Sequence, residues 1–256
     1  MQKIKLYFVF TIYFLSTFVV ARSKFDPYKS KIVLGEKLSY TAHWGILTIG
    51  SASTQVDKEL YKIGTTMCSR IEVRGQTNGI AKLFNVQDKW ISYIDTSTIK
   101  TFKSYREIHE GSYELKEIAD FDHLNKKATV KVFNKKSNSY QLKKIYDTPE
   151  NIRDIIAGFV FLRTIDFTSY SIGNKVSING FYEDEGYKID IIYAGKEILN
   201  MDNSTFSCYK LIPIMPKNNV FKGKNPVVVW LSDDYTQKVV KIQAKMLVGS
   251  IVIKLN

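Results

Sequence analysis

From Leu38 onward the chain alternates apolar and polar residues in short runs separated by turn residues. A period of two over most of a chain is compatible with little besides antiparallel sheet. Leu38, Tyr40 and Ala42 alternate with Lys37, Ser39 and Thr41 and lead into Trp44-Gly45. Further runs fall at 47–56, 70–75, 89–94, 101–108, 111–121, 128–133 and 139–145, then at 175–182, 187–193, 205–215 and 227–232, with a closing pair across 238–255. The small residues between 50 and 54 predict close packing beneath a neighbour. The clearest hairpins are 181–187, turned by Glu183, Asp184, Glu185 and Gly186, and 231–238, turned by Ser232, Asp233 and Asp234. About twelve strands are too many for a flat layer, so the sheet must curl or fold over. The expected fold is mainly β: one large curled antiparallel sheet, open-barrel or sandwich-like, with one main amphipathic helix.

That helix is predicted over 148–162. Thr148 is suited to cap it, Pro149 to its first turn and Glu150 to the positive end of its dipole. Ile152, Ile155, Ile156, Phe159 and Val160 then fall on one stripe, which would lie across the sheet or plug its open side. A shorter helical turn is predicted over 78–84, with Ile80, Leu83 and Phe84 on a shared face.

The first twenty-one residues read differently. Lys3 and Lys5 precede an uncharged apolar run of fifteen residues, Leu6 to Val20, and Val19 and Ala21 suit a signal peptidase site. The run is shorter than the roughly twenty residues that span a bilayer, so cleavage before Arg22 is expected rather than a retained anchor. No transmembrane segment then remains, and residues 22–256 form a single β-rich domain in the periplasm or another exported location. Five prolines and no linker-like stretch mark no internal boundary.

The net charge is +12, of which the leader lysines supply two, leaving +10 on the mature chain. Only six of the 37 basic residues are Arg, the side chain that phosphate and base recognition favours. Scattered lysine of this kind marks solvated strand faces and protected edges, so nucleic acid is not an expected partner. Anionic lipid head groups and acidic glycans are the polyanions an envelope offers. Cys68 and Cys208 are the only cysteines. A bridge between them would close a loop of about 140 residues and contribute roughly 4 to 5 kcal/mol if unstrained; two buried thiols are the alternative.

The supply of catalytic groups is thin. His43, His109 and His123 stand apart, without HExxH spacing or a neighbouring cysteine, so no metal and no cofactor is expected. Asp120, Asp122 and His123 are the densest set of ligand types, but they lack the remaining oxygens of a calcium loop. No GxSxG elbow and no glycine-rich phosphate loop is present. The paired carboxylates Asp233 and Asp234 sit in a hairpin turn, where side chains ordinarily face water or fold back on the backbone. Trp44, Trp90 and Trp230 lie in strand context, where they suit either the core or a lipid or sugar pocket. Trp44, Trp90, Trp230, Asp233 and Asp234 are therefore the ligand-binding candidates, and no catalytic residue is assigned.

Several motifs taken together resemble a known family. Gly35-Glu36-x-Leu38-x-Tyr40, Trp44-Gly45, Gly50-x-Ala52, Glu110-Gly111-x-Tyr113, Phe121-Asp122 and Cys208-x-x-Leu211-x-Pro213 are similar to the bacterial Domain of Unknown Function 3108. So are Val229-Trp230-Leu231-Ser232-Asp233-Asp234 and Leu247-Val248-Gly249-Ser250-Ile251, and the likeness runs from about Gly35 to Leu255. The resemblance implies exported proteins of Bacteroidetes-like bacteria with a curled sheet and no assigned activity, and it carries over no catalytic residue. Two functions remain open. The leading one is a non-enzymatic periplasmic protein that holds an apolar or amphipathic envelope lipid, or a lipoprotein, in a curled-sheet groove; without a pocket it is an interaction scaffold. The other is a glycan-active or glycan-binding protein using Asp233, Asp234 and Trp230.

Overall fold

The structure is a computed structural model that describes residues 31–182, 185–201, 204–214 and 225–256. The leader, most of the acidic turn at 183–184 and Met215 lie outside the described residues. Within them, one antiparallel sheet of fourteen strands accounts for nearly all the regular structure. In chain order these are β1 Lys37–Trp44, β2 Leu47–Ile63, β3 Thr66–Thr77, β4 Gln87–Asp95, β5 Thr101–Glu110, β6 Tyr113–Asp122, β7 Lys127–Asn134 and β8 Ser139–Asp147. After the helix come β9 Lys175–Tyr182, β10 Glu185–Met201, β11 Ser204–Pro213, β12 Val227–Ser232, β13 Val239–Lys245 and β14 Ser250–Leu255. The spatial order is β8-β7-β6-β5-β4-β3-β2-β1-β14-β13-β12-β11-β10-β9. Every pairing joins chain neighbours except that of β1 with β14, in which Trp44 lies opposite Ile251.

Close packing at the small residues is as expected. Gly50 faces Thr77 across the β2–β3 ladder, and a Cβ there would fall 2.4 Å from the Gln76 carbonyl oxygen.

The sheet curls until its edge strands β8 and β9 approach, but no ladder joins them. The connecting segment bridges the gap instead. Thr148 donates its N–H to Lys126, Arg153 donates to Asn179, and Phe181 donates to Arg153. Side chains complete the seam: Phe181 packs edge-on against Phe121 and Tyr146, at 5.4 and 5.8 Å between ring centroids. Ile152 is buried beside them with Ala128 and Val130.

This use of 148–154 corrects the predicted helix. The helix α1 is Ile155–Arg163, and its cap is Asp154, whose carboxylate accepts the Ala157 N–H at 2.8 Å. Thr148 and Pro149 cannot start it, because the residues after them are committed to the seam, where Asn151 takes a positive φ of 56° and Arg153 bridges to Gly180. Ile152 is buried as its apolar character requires, but in the seam rather than on the helix.

The helix enters the curled sheet at one end. Ile156, Ala157, Val160, Phe161 and Leu162 pack with Val56, Ile71 and Ile94 from one side of the sheet and with Ile178, Ile191, Leu211, Val229 and Leu231 from the other. Phe167, just beyond α1, stacks on Tyr193 at 5.7 Å. Burying side chains of this size contributes about 1.5 to 3 kcal/mol each, so the helix is part of the core rather than a lid over a space.

Candidate functional site

Two concavities are large enough to consider. The first lies inside the sheet at the seam, between Trp90, Arg106, Glu117, Asp154, Phe181 and Tyr182, and has a volume of ≈ 30 Å³. That is room for about two waters. Its lining is mainly apolar, with Arg106, Glu117 and Asp154 as its charged groups. Glu117 is buried and takes the guanidinium of Arg106 at 2.8 Å, with Lys143 at 3.6 Å from its other oxygen. Trp90 stacks on Tyr182 at 5.9 Å, and Arg106 lies over the Tyr182 ring. The helix and these side chains fill the interior, so the groove anticipated within the curled sheet is reduced to this remnant.

The second concavity is an open basin of ≈ 560 Å³ at the end of the sheet away from the helix, lined by Trp44, Gly45, Leu47, Gly249, Ser250 and Val252. Strand direction places it. β1 and β13 run toward this end and turn there into β2 and β14, while α1 and the turns at 96–100 and 233–238 lie at the other end. The indole of Trp44 lies so close to Gly249 that a Cβ on the glycine would fall 2.2 Å from the indole nitrogen, and Gly249 has φ +72°. Trp44 is 44% exposed, Leu47 47%, and Ile46 at the hairpin tip 97%.

The apolar surface continues on both sides. In the β13–β14 turn Leu247 and Val248 are exposed. Next to the β1–β2 hairpin is the 3₁₀ turn Gly79–Phe84, tied to it by the Asn78 N–H on the Ile49 carbonyl. This is the helical turn expected over 78–84; its Ile80, Leu83 and Phe84 face solvent, and Ala81 is the buried residue. A single short turn cannot reach the core from its place on the rim. Beyond it, Gly111 donates to the Asn85 carbonyl, which brings the β5–β6 turn and exposed Tyr113 alongside.

The tryptophans thus occupy three places: Trp44 on this rim, Trp90 at the seam, Trp230 on the flank. Trp230 is buried, donates its Nε1–H to Glu197 at 3.3 Å and is covered by Lys210 and Lys241. Asp233 accepts from Lys196 at 2.6 Å and from Ser207; the lysine beside it holds its carboxyl below the usual carboxylate range. Asp234 folds back on its own turn, accepting from the Thr236 and Gln237 N–H groups. Neither acid lines either concavity, and both lie at the helix end.

Cys68 and Cys208 are free and buried, which corrects the disulfide expectation. They lie on β3 and β11, with β2, β1, β14, β13 and β12 between them in the sheet. Asp120 pairs with Lys103 and Lys131, Asp122 with the turn at Asn125, and His123 with the Thr101 carbonyl. Among the described residues no three His, Cys, Asp or Glu side chains are grouped to hold a metal, and no helix is long and apolar enough to cross a membrane.

The rim was missed by sequence reasoning because each of its residues reads as an ordinary strand end or helix face. The available signal was apolar residues at turn positions, Ile46-Leu47 and Leu247-Val248, where polar side chains are the rule.

A solved structure shares the overall form. A β-barrel-like protein of Domain of Unknown Function DUF1849 from Brucella abortus is similar with a TM-score of 0.54 at 8% identity, over 86% of this chain and 94% of that one. A putative exported protein with YmcC-like fold from Bacteroides fragilis aligns with a TM-score of 0.34 at 8% identity, over 87% and 94% of the respective chains. No curated protein sequence matches the chain. The model of one family, "Protein of unknown function (DUF3108)", matches residues 39–256, as the motifs from Gly35 to Leu255 led us to expect, and the chain belongs to that family.

Proposed function

We propose that the chain is an exported, non-enzymatic cell-envelope protein that binds an amphipathic envelope component at the helix-free end of its curled sheet. The observation that carries this reading is the half-exposed Trp44 in an open apolar basin, beside an interior that the helix and paired side chains fill. An indole with one face on backbone and one edge in water suits a ligand that is part apolar, part polar. Export is supported by the basic start, the apolar run and the small residues at Val19 and Ala21. A glycan-active reading lacks comparable support, because Asp233, Asp234 and Trp230 are engaged in structural contacts.

The test is to isolate the mature protein from its native compartment and analyse the extract by mass spectrometry, with a titration of lysophospholipid followed by tryptophan fluorescence. A bound amphipath in the parent, lost in Trp44→Ala, is expected. An empty preparation with no response to lysophospholipid would overturn the reading in favour of an interaction scaffold.

A further inference from the structure

Solvent-exposed apolar side chains scattered singly are ordinary; a contiguous set on adjoining loops is not. Leu247 and Val248, then Trp44 and Ile46, then Leu83 and Phe84 follow one another along a single arc of three neighbouring loops. Ile46 is 97% and Leu83 92% exposed. Leu124 and Tyr235, also strongly exposed, stand on separate turns at the opposite end.

The charge of this arc is one-sided. Residues 37–56, 73–87 and 235–256, which contain the three loops and the strand ends next to them, have no Asp or Glu; the nearest acids are Asp88 on β4 and Glu110, which bridges Val86. Lys82 lies within the 3₁₀ turn and Lys245 at the start of the β13–β14 turn, and both are exposed. Several lysines elsewhere, Lys103, Lys127, Lys135, Lys196 and Lys210, sit against a carboxylate. Loops tipped with Trp, Ile, Leu and Phe, flanked by lysine and free of acid, match a surface that is apolar below and anionic above.

We propose that this rim docks on the surface of an anionic phospholipid bilayer, the loop tips entering the head-group region with Lys82 and Lys245 at the level of the phosphates. This rests on the rim being the binding surface, and it names the ligand as lipid still in a membrane. The sheet would then stand on the bilayer at its open end, with the helix-filled end and the Asp233–Asp234 turn facing away.

The experiment is co-sedimentation of the mature chain with vesicles of phosphatidylglycerol and phosphatidylcholine in equal parts, against vesicles of phosphatidylcholine alone. Binding to the anionic vesicles is expected, weakening as ionic strength rises from about 50 to about 500 mM. Leu83→Asp and Ile46→Asp should each reduce it about tenfold or more, because each places a charge where the acyl boundary begins. Lys82→Gln and Lys245→Gln should each reduce it about fivefold. Leu124→Asp, at the far end, should change nothing, and thermal unfolding of all variants confirms that they fold. Lack of binding to anionic vesicles overturns the proposal, as does equal binding by the rim variants. If lysophospholipid still binds in solution while vesicles do not, the membrane assignment fails and the amphipath reading stands. A dimer broken by the rim variants, with no vesicle binding, would assign the rim to a second copy of the chain and also overturn the proposal.

Discussion

Arg163, in the last turn of α1, donates two hydrogen bonds to the carboxylate of Glu36, at 2.7 and 2.9 Å, across 127 positions of sequence. Its Nε–H goes to the Thr236 carbonyl at 3.0 Å. One guanidinium thus fastens the helix both to the approach to β1 and to the β12–β13 turn. Both side chains are largely buried, at 9% and 12% exposure. Removing one partner leaves a charge without compensation, so Arg163→Met is expected to cost about 3 to 5 kcal/mol. Urea denaturation of residues 22–256 measures it, and a cost under about 1 kcal/mol would place this pair with weak surface bridges.

The seam gives a second expectation. Phe181 is the side chain on which the rings from β6 and β8 converge, and it is buried. Phe181→Ala should destabilise by about 3 to 5 kcal/mol. Hydrogen exchange should show β8, β9 and 148–154 opening ahead of β1–β3 in that variant; uniform loss of protection would contradict the seam's role.

Burial holds the Asp154 carboxyl above the usual carboxylate range, although its hydrogen bond from Ala157 works in the opposite direction. A raised folded-state value means that the folded form binds the proton more tightly than the unfolded chain. The stability this group supplies is therefore full below about pH 4 and is lost as pH rises through the folded value. Asp154→Asn keeps a capping oxygen without the charge. The difference in urea midpoint between parent and variant should shift in the variant's favour from pH 4 to pH 8, whereas Asp154→Ala loses about 1 to 2 kcal/mol of cap. A parent–Asn difference that does not move with pH would refute this.

Burial pushes the thiols of Cys68 and Cys208 up to about 11. Both should resist a water-soluble thiol reagent in the folded protein at neutral pH and react together in denaturant, with no reductant added. A native mass lower than that of the reduced chain by two hydrogens, or a lower melting temperature after reduction, would restore the disulfide.

Gly249 meets two constraints at once, a φ of +72° and the indole of Trp44 where a Cβ would go. Gly249→Ala should cost about 1 to 3 kcal/mol in backbone strain and displace the indole, changing its fluorescence maximum. An unchanged spectrum would mean that Trp44 does not rest there.

The sheet was legible in the sequence because a period of two survives wherever one face is buried. The expected run 227–232 coincides with β12 and 175–182 with β9. Where expected strands fell short, as at 47–56 against Leu47–Ile63, a bulge between Val56 and Leu60 interrupts the alternation. The order of strands was not legible, since nothing in Tyr40 and Leu255 announces that they face each other. The helix start was misread because Thr148-Pro149-Glu150 has the composition of a cap while the seam claims its backbone. Of the site candidates, Trp44 lies in the rim basin; Trp230, Asp233 and Asp234 are tied into the flank and a turn by contacts that only tertiary structure supplies.

Since β1 lies between β2 and β14, the first of the described strands keeps a bare edge until the last of them arrives. The two halves of the sheet are therefore joined only once β14 has been made, and a chain lacking that six-residue strand would present two adhesive margins, on β1 and on β13, to its neighbours.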